Sequence, residues 1–241
     1  MMKCLLVRLF SLSLFLGLLL LPQLYAQDSN ILMSEHFQNL ENWRPLHFPK
    51  IKQHTRYTVA EENGSTYLRA ESNASASAII YKQEFNIYEY PRIKWRWKIE
   101  NVYHKGNVRE KTGDDYPIRV YVIFKYDPEK ASFGQKIKYG LAKKIYGEYP
   151  PHSSLNYIWA NRKDETGIVT NSYADEAKMV ILQAGPDRIG QWQEEDVNII
   201  DDYRKAFGTD PPAFASFAVM NDSDNTGESS VSYIEYIEVY K

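Results

Sequence analysis

The segment from Arg92 to Ile99 alternates strictly between charged and apolar residues. Its charged positions are Arg92, Lys94, Arg96 and Lys98, and its apolar positions are Ile93, Trp95, Trp97 and Ile99. Because successive side chains of a β-strand point to opposite faces, a period of two predicts a strand with one face in the core and the other in water. The chain must therefore build a sheet, with Trp95 and Trp97 on its buried side.

A second strand is predicted from Ile118 to Tyr126. Its apolar positions Ile118, Val120, Val122, Phe124 and Tyr126 alternate with Arg119, Tyr121, Ile123 and Lys125. The second face is only partly polar, which favours a place near the centre of a sheet.

Eight further segments are strand candidates, separated by turns rich in Gly, Asn and Asp. They are Arg56–Ala60, Tyr67–Ser72, Ala76–Tyr81, Leu155–Ala160, Ile168–Ser172, Lys178–Ala184, Ala213–Met220 and Val231–Tyr240. The 19 tyrosines, 10 phenylalanines and 5 tryptophans suit pleated, half-buried surfaces. About ten short strands of this kind predict an all-β fold, a jelly-roll-like antiparallel β-sandwich with one or two short inserted helices.

Two segments predict those helices. Phe133, Ile137, Leu141 and Ile145 recur every four residues among lysines, which is typical of a basic amphipathic helix. We expect this helix to cap the open end of the sandwich, and the alternative is a membrane-surface role. The second segment, Ile199 to Phe207, ends at Gly208, a common helix stop.

The first 26 residues predict export. Lys3 and Arg8 precede an apolar run from Leu9 to Leu21, and a candidate cleavage site follows after Ala26. A charged region, an apolar region and a cleavage site in this order are typical of a secretory signal. We therefore predict a signal peptide over 1–26, a single β-sandwich domain over 27–241 and a periplasmic or secreted location. A retained anchor is the alternative. The one cysteine, Cys4, precedes the apolar run, so neither a lipid anchor nor a mature disulfide is indicated.

Charge and motif content exclude several classes of function. The formal net charge of −2 becomes more negative when Lys3 and Arg8 are removed, which argues against nucleic-acid binding. The sequence has no HExxH helix, no GxSxG elbow and no phosphate-binding glycine loop, and its five histidines lack ligand spacing. A redox cofactor or a zinc centre is not expected.

Several ordered motifs carry a family resemblance across most of the mature chain. They are Gly113-Asp114-Asp115, Arg119-Val120-Tyr121-Val122, Leu155-Asn156-Tyr157-Ile158-Trp159, Lys178-Met179, Gly185, Gly190-Gln191-Trp192, Asp202-Tyr203-Arg204, Phe207-Gly208 and Met220-Asn221-Asp222-Ser223-Asp224-Asn225-Thr226-Gly227. In these motifs the chain resembles the bacterial family catalogued as domain of unknown function 3047. The resemblance implies a compact exported β domain and transfers no activity.

A second resemblance concerns the two ends of the domain. Ser34-Glu35-His36-Phe37 and Tyr233-Ile234-Glu235-Tyr236-Ile237 look like the first and last strands of jelly-roll carbohydrate-binding modules. In those modules oxygens from the two ends share a structural calcium ion. The resemblance therefore implies Glu35 and Glu235 as candidate metal ligands.

The acidic turn that begins at Asp222 is a second candidate for calcium. Asp222 and Asp224 alternate with other oxygen-bearing side chains before Gly227, as a tightly curled calcium loop requires. Tyr233 stands at the twelfth position, where an EF-hand needs glutamate. The alternative is a hairpin turn whose Asp and Asn side chains bond their own backbone.

Asp114, Asp115 and Arg119 form the next candidate group. Two carboxylates and an arginine would hold a sugar through paired hydrogen bonds, or would supply an acid and a base. A structural ion pair between Asp115 and Arg119 is the alternative. The acidic run 194–196 is interpreted as a solvated charge run.

Aromatic side chains are the remaining candidates, because a flat ring stacks on the apolar face of a sugar. Tyr157 and Trp159 share a predicted strand face with Asn161, and Trp192 lies in a polar, loop-like stretch. Packing in the core is the alternative role for Tyr157 and Trp159.

Two main functions follow from these observations. The favoured one is a noncatalytic glycan-binding domain, with a polysaccharide or cell-wall glycan as partner and a structural calcium ion. The alternative is a carbohydrate-active enzyme, a glycosidase or lyase, that uses a carboxylate pair. A structural envelope protein is a third hypothesis without a positive signature.

Overall fold

The computed structural model describes residues 30–62, 64–129, 131, 133–134, 136, 139–140 and 149–241. The predicted signal peptide, 1–26, lies outside these residues. So do Ile137, Leu141 and Ile145 of the predicted basic helix. Within the described ranges, no helix combines the length and the apolar composition that a membrane crossing requires.

The described chain is built mainly of strands. They are β1 (Ile31–Glu35), β2 (Trp43–Leu46), β3 (Arg56–Glu62), β4 (Ser65–Asn73), β5 (Ala76–Tyr81), β6 (Phe85–Asn86), β7 (Arg92–Ile99), β8 (Arg119–Phe124), β9 (Ser153–Ala160), β10 (Gly167–Thr170), β11 (Ala177–Ala184), β12 (Gln193–Asn198), β13 (Phe214–Asp222) and β14 (Ser229–Tyr240). An α-helix with both ends described, α1 (Ile199–Phe207), follows β12 directly, and a short 3-10 turn spans Lys111–Gly113.

Two sheets face each other. Sheet A has the order β12-β7-β14-β4-β3, with β1 also paired to β14. Sheet B has the order β10-β11-β9-β8-β13-β5-β2, with β6 also paired to β13. The predicted jelly-roll-like sandwich is confirmed, with one difference: β9 and β11 pair in parallel.

Most predicted elements lie where the hydrophobic pattern placed them. The bounds of β5, β7 and α1 coincide with the predicted ones. β12 was missed, because its sequence QEEDVN has little β-propensity and reads as a charge run. It is an edge strand beside β7, and charged residues are common on such edges because they discourage further pairing.

The core between the sheets is rich in aromatic residues. Trp95 and Trp97 are fully buried, as predicted. The ring of Trp95 lies 5.3 Å from that of Tyr157, and the ring of Trp97 lies 6.0 Å from that of Trp159. Each pair joins a strand of sheet A to a strand of sheet B, so these four rings hold the layers together.

Helix α1 packs against the edge of this core. Asn198 caps it by accepting hydrogen bonds from the backbone N–H groups of Ile200 and Asp201. Gly208 ends it with a φ of 72°, a conformation that favours glycine. Inside the helix, Tyr203 is buried with its ring 4.7 Å from that of Phe124 on β8.

Another part of the space between the sheets is filled by a polar network centred on Asn221. Its side-chain nitrogen donates to the carbonyl of Ala70 at 3.2 Å and to Ser232 at 3.1 Å. Its side-chain oxygen accepts from Ser230 at 3.0 Å and from Tyr103 at 3.3 Å. Asn221 lies on β13 and three of these partners lie on β4 or β14, so the network joins sheet B to sheet A.

We expect Asn221→Ala to lower the free energy of unfolding by about 2 kcal/mol or more, because each buried polar group left without a partner costs roughly 1–3 kcal/mol. Urea unfolding measures this loss. Asn39→Ala is the control, since Asn39 is exposed and its side chain accepts from the nearby N–H of Glu41, and it should change stability by less than about 0.5 kcal/mol. Equal losses in the two variants would contradict the assignment.

Candidate functional site

Three of the predicted binding residues, Asp115, Arg119 and Asn161, meet beside the β13–β14 turn. Arg119 pairs with Asp222 and not with Asp115: its Nε donates to Oδ1 of Asp222 at 3.0 Å and its Nη2 donates to Oδ2. Nη2 also donates to the carbonyl oxygen of Asp114 at 2.8 Å. Arg119 and Asp222 are only 4% and 2% exposed, so this is a buried ion pair.

Asp115 holds the turn instead of a ligand. It is fully buried, and its carboxylate accepts from the backbone N–H of Thr226 at 2.6 Å and of Asn225 at 3.3 Å. Burial raises the pKa of this carboxyl group. The side chain of Asn161 donates to the carbonyl oxygen of Asp115 at 2.7 Å and accepts from the N–H of Tyr103 at 2.8 Å. Asp115 and Asn161 therefore bind backbone groups of neighbouring loops.

Further bonds fix the same turn from outside. The N–H of Ser223 donates to the carbonyl of Ser75 at 2.9 Å, and the hydroxyl of Ser223 accepts from the N–H of Ser75 at 3.3 Å. The hydroxyl of Tyr173 donates to the side chain of Asn225 at 2.6 Å. The turn is thus anchored by other elements, as well as by its own backbone. We call Asp114, Asp115, Arg119, Asp222 and Asp224 the arginine cluster.

The four predicted metal ligands do not converge. Carboxylate oxygens of Asp222 and Asp224 lie within 4.8 Å of each other and of one from Asp115. Glu35 is buried elsewhere, where it accepts from the N–H of Phe37 at 2.7 Å and from the indole of Trp43 at 3.2 Å. Glu235 lies on the outer face of sheet A and accepts from Arg96 at 2.6 Å.

The arginine cluster offers oxygen ligands of the kind calcium prefers. Three of its carboxylates are already engaged: Asp222 with Arg119, Asp115 with the turn and Asp114 with Asn171. A calcium ion would use their remaining lone pairs together with Asp224, and it would sit beside a guanidinium that already supplies positive charge. Calcium binding stays a prediction.

Thermal unfolding in calcium and then in chelator tests it. An ion that binds only the folded state at 100 times its Kd adds about 2.7 kcal/mol and raises the melting midpoint. Asp224→Asn should abolish the shift and leave the Arg119–Asp222 pair in place. A midpoint that is the same in calcium and chelator would contradict the prediction.

The buried ion pair supports a second prediction. Arg119→Met and Asp222→Asn should each cost about 3–5 kcal/mol, because each removes the main partner of a charge that stays buried. The double variant should lose less than the sum of the two. Lys163→Met is the control: it removes an exposed pair with Asp187, and exposed pairs contribute about 0–1 kcal/mol. Additive losses in the double variant would refute the coupling.

Tyr157 and Trp159 belong to the core. Both are fully buried. The indole of Trp159 donates to the carbonyl of Gly185 at 3.1 Å, and the hydroxyl of Tyr157 donates to Asp202 at 3.2 Å. Neither ring offers a face on which a sugar could stack.

Trp192 lies in a different setting, on the outer face of sheet A just before β12. Its ring is 6.1 Å from that of Tyr67 and 6.4 Å from that of Tyr233, and the two tyrosine rings are 5.4 Å apart. All three side chains are partly exposed. We call these three residues the aromatic platform.

Two cations lie over the platform. The ammonium of Lys98 is 4.6 Å from the ring centroid of Tyr233 and 5.0 Å from that of Trp192. The guanidinium of Arg96 is 5.4 Å from the ring of Trp192. These distances are within the range of cation–π attraction.

A polar groove of about 560 Å³ lies near the platform, where β4 ends and β14 begins. Its lining combines outward-facing residues such as Glu71 and Ser229 with the buried, inward-facing Ser72 and Ser230. The strand register places the groove next to the platform, because Tyr233 pairs with Arg69, Val231 with Glu71 and Ser229 with Asn73. At roughly 3.3 Å per residue, the four positions from Tyr233 to Ser229 span about 13 Å.

The sequence interpretation missed Tyr67 and Tyr233, although a signal was present. On β4, Tyr67 lies two residues before Arg69 and four before Glu71, so its side chain is on the same outward face as theirs. An aromatic residue on the polar side of an alternating strand is therefore a candidate for a surface site. The neighbourhood of Trp192 could not be deduced, because it depends on the pairing of β12 with β7.

Comparison with known proteins yields one family match. The model of the family described as "Protein of unknown function (DUF3047)" matches residues 41–238. Among the curated proteins, none matches the chain.

Three solved structures are among those to which this chain is similar. A family 11 carbohydrate-binding module from Clostridium thermocellum, in complex with a β-1,3-1,4-mixed-linked tetrasaccharide, is 9% identical, with 88% of this chain and 94% of that chain covered and a TM-score of 0.41. A laminarinase from Flavobacterium sp. UMI-01 is 15% identical, with 88% and 100% covered and a TM-score of 0.43. Endoglucanase 3 of family GH12 from Trichoderma harzianum is 9% identical, with 83% and 99% covered and a TM-score of 0.39.

Proposed function

We propose that this chain, which belongs to the DUF3047 family of proteins of unknown function, is an exported, noncatalytic glycan-binding protein. Its ligand would lie across the outer face of sheet A. The observation that supports this proposal is the partly exposed aromatic platform, with a polar groove next to it on the same two strands. The proposal includes export through the leader at 1–26, to the periplasm or the cell exterior, where the glycan would be met.

The platform supplies the apolar half of sugar recognition. A pyranose ring has apolar C–H faces, which pack against aromatic rings. Tyr67, Trp192 and Tyr233 come from three separate elements, and their mutual contacts limit the freedom of each ring. Rigid, partly exposed rings lose little conformational entropy when a ligand packs on them.

The groove supplies the polar half. Its amide, hydroxyl and charged groups include both donors and acceptors, which suits the hydroxyl groups of a sugar. Its volume of about 560 Å³ lies within the roughly 300–1,000 Å³ of small-molecule sites. Arg69 links the two parts, because it forms hydrogen bonds with Glu71 in the groove and with Tyr233 in the platform. Both hydrogen bonds raise the pKa of Arg69.

The carboxylates of this surface favour binding over catalysis. Although burial acts to raise it, hydrogen bonds from Arg69 and Arg56 hold the pKa of Glu71 below its ordinary value. A carboxylate that stays ionised and paired is a poor general acid at neutral pH. The enzyme alternative relied on Asp115, which is buried against the β13–β14 turn.

Binding of soluble polysaccharides by affinity electrophoresis tests the proposal. Trp192→Ala and Tyr233→Ala should each weaken binding about tenfold or more, since truncating an aromatic anchor typically costs more than about 1.4 kcal/mol. The matched control is Tyr88→Ala, because Tyr88 is 49% exposed and lies outside the platform. The proposal fails if no polysaccharide is retained by the wild type, or if the Trp192 and Tyr88 variants bind alike.

A further inference from the structure

Four cations lie in a row along the outer face of β7. Three of them have a carboxylate partner: Arg92 with Asp196 at 2.8 Å, Lys94 with Glu238 at 2.8 Å and Arg96 with Glu235 at 2.6 Å. The fourth, Lys98, has its ammonium over the rings of Tyr233 and Trp192 instead. Within the described part of the chain, Lys98 forms no ion pair with a carboxylate.

We infer that Lys98 makes the platform selective for glycans that carry an anionic group, a carboxylate or a sulfate, on the sugar that packs there. This inference rests on the proposed function and names the class of its ligand. The sugar would pack on the platform while its anionic group binds the ammonium of Lys98.

The position of Lys98 explains why charge should matter. A neutral sugar that packs on Trp192 or Tyr233 competes with the ammonium of Lys98 for the same ring faces. It offers the displaced ammonium no anionic group to bind. An anionic sugar draws the ammonium off the rings into a charge-assisted hydrogen bond, which is roughly twice as strong as a neutral one. Lysine has a flexible four-carbon stem, so this movement needs no change in the backbone.

The other cations near the platform are already paired with carboxylates, so we assign the binding of the anionic group to Lys98. Arg96 also lies near Trp192, but Glu235 already neutralises it. Arg69 is paired with Glu71. The carboxylate of Glu194 accepts a hydrogen bond from the hydroxyl of Tyr236 at 2.5 Å. Burial is the largest cause of the raised pKa of Tyr233, and the negative charge of Glu100 raises that pKa further. The surface as a whole is not strongly positive, so the selectivity would be local.

A lysine ammonium recognises charge and does not match the planar shape of a carboxylate, as arginine does. The structure therefore points to an anionic sugar in general. Carboxylated and sulfated polymers are separate arms of the experiment.

The experiment compares polymers that differ only in charge. The probes are polygalacturonate and its methyl ester, and dextran sulfate and dextran, each measured by affinity electrophoresis near physiological ionic strength. We expect the wild type to bind at least one charged polymer about tenfold more tightly than its neutral counterpart, or about 1.4 kcal/mol. Preference in the first pair identifies a carboxylate, and preference in the second a sulfate.

Three variants connect this preference to Lys98. Lys98→Gln should lose the preference while retaining its binding to the neutral polymer, and Lys98→Arg should keep it. Lys94→Gln is the matched control on the same strand and face, because Lys94 is already paired with Glu238, and it should also keep the preference. Unchanged melting midpoints would show that all three variants fold.

Several results would overturn the inference. It fails if the wild type binds each charged polymer and its neutral counterpart equally, with binding still sensitive to Trp192→Ala; the proposed function then stands without it. It fails if Lys94→Gln loses as much preference as Lys98→Gln, which would indicate nonspecific attraction. Retention of none of the four polymers overturns both the inference and the proposed function.

Discussion

The buried ion pair between Arg119 and Asp222 fixes the end of β13, the point from which the chain crosses from sheet B to sheet A. Asp222 is the last residue of β13 in sheet B, and the chain turns from there into β14, the strand of sheet A that pairs with β7, β4 and β1. Removing two charges from water is costly, so each needs the other to remain buried. The carboxylate of Asp115 secures the same turn by accepting hydrogen bonds from the backbone N–H groups of Asn225 and Thr226. An acidic motif that reads as a metal loop therefore has a definite role in connecting the sheets.

The same connection positions the surface proposed to bind glycans. β14 carries Asn221's partners Ser230 and Ser232 on its inner face and Tyr233 on its outer face. A strand that is fixed on its inner side by a polar network has little freedom to move its outer side. The aromatic platform and the polar groove are thus presented by a sheet held from within, which favours a preformed site over one that orders on binding.

Strand positions could be predicted from the sequence because burial imposes a period of two, as Arg92–Ile99 shows. Trp95 and Trp97 were correctly assigned to the core for that reason. Pattern alone could not place residues whose setting depends on pairing between distant strands. Trp159 is a residue type that often binds sugars, but its side chain faces the core. The sequence of β12 resembles a loop, yet this strand brings Trp192 beside Tyr67 and Tyr233. Arg119 likewise has two acidic neighbours in sequence, but the carboxylate that accepts its hydrogen bonds is that of Asp222 on β13.

The central claim, that ligand binds to the outer face of sheet A, can be tested by following the tryptophan indole signals in a ¹H–¹⁵N NMR titration with a retained polysaccharide fragment. Five tryptophans are present, and Trp43, Trp95, Trp97 and Trp159 are at most 5% exposed. Trp192 is therefore the one indole that a surface ligand reaches directly. We expect its signal to shift progressively while those of Trp95, Trp97 and Trp159 remain in place. An unmoved Trp192 signal, with shifts confined to residues of sheet B, would contradict it.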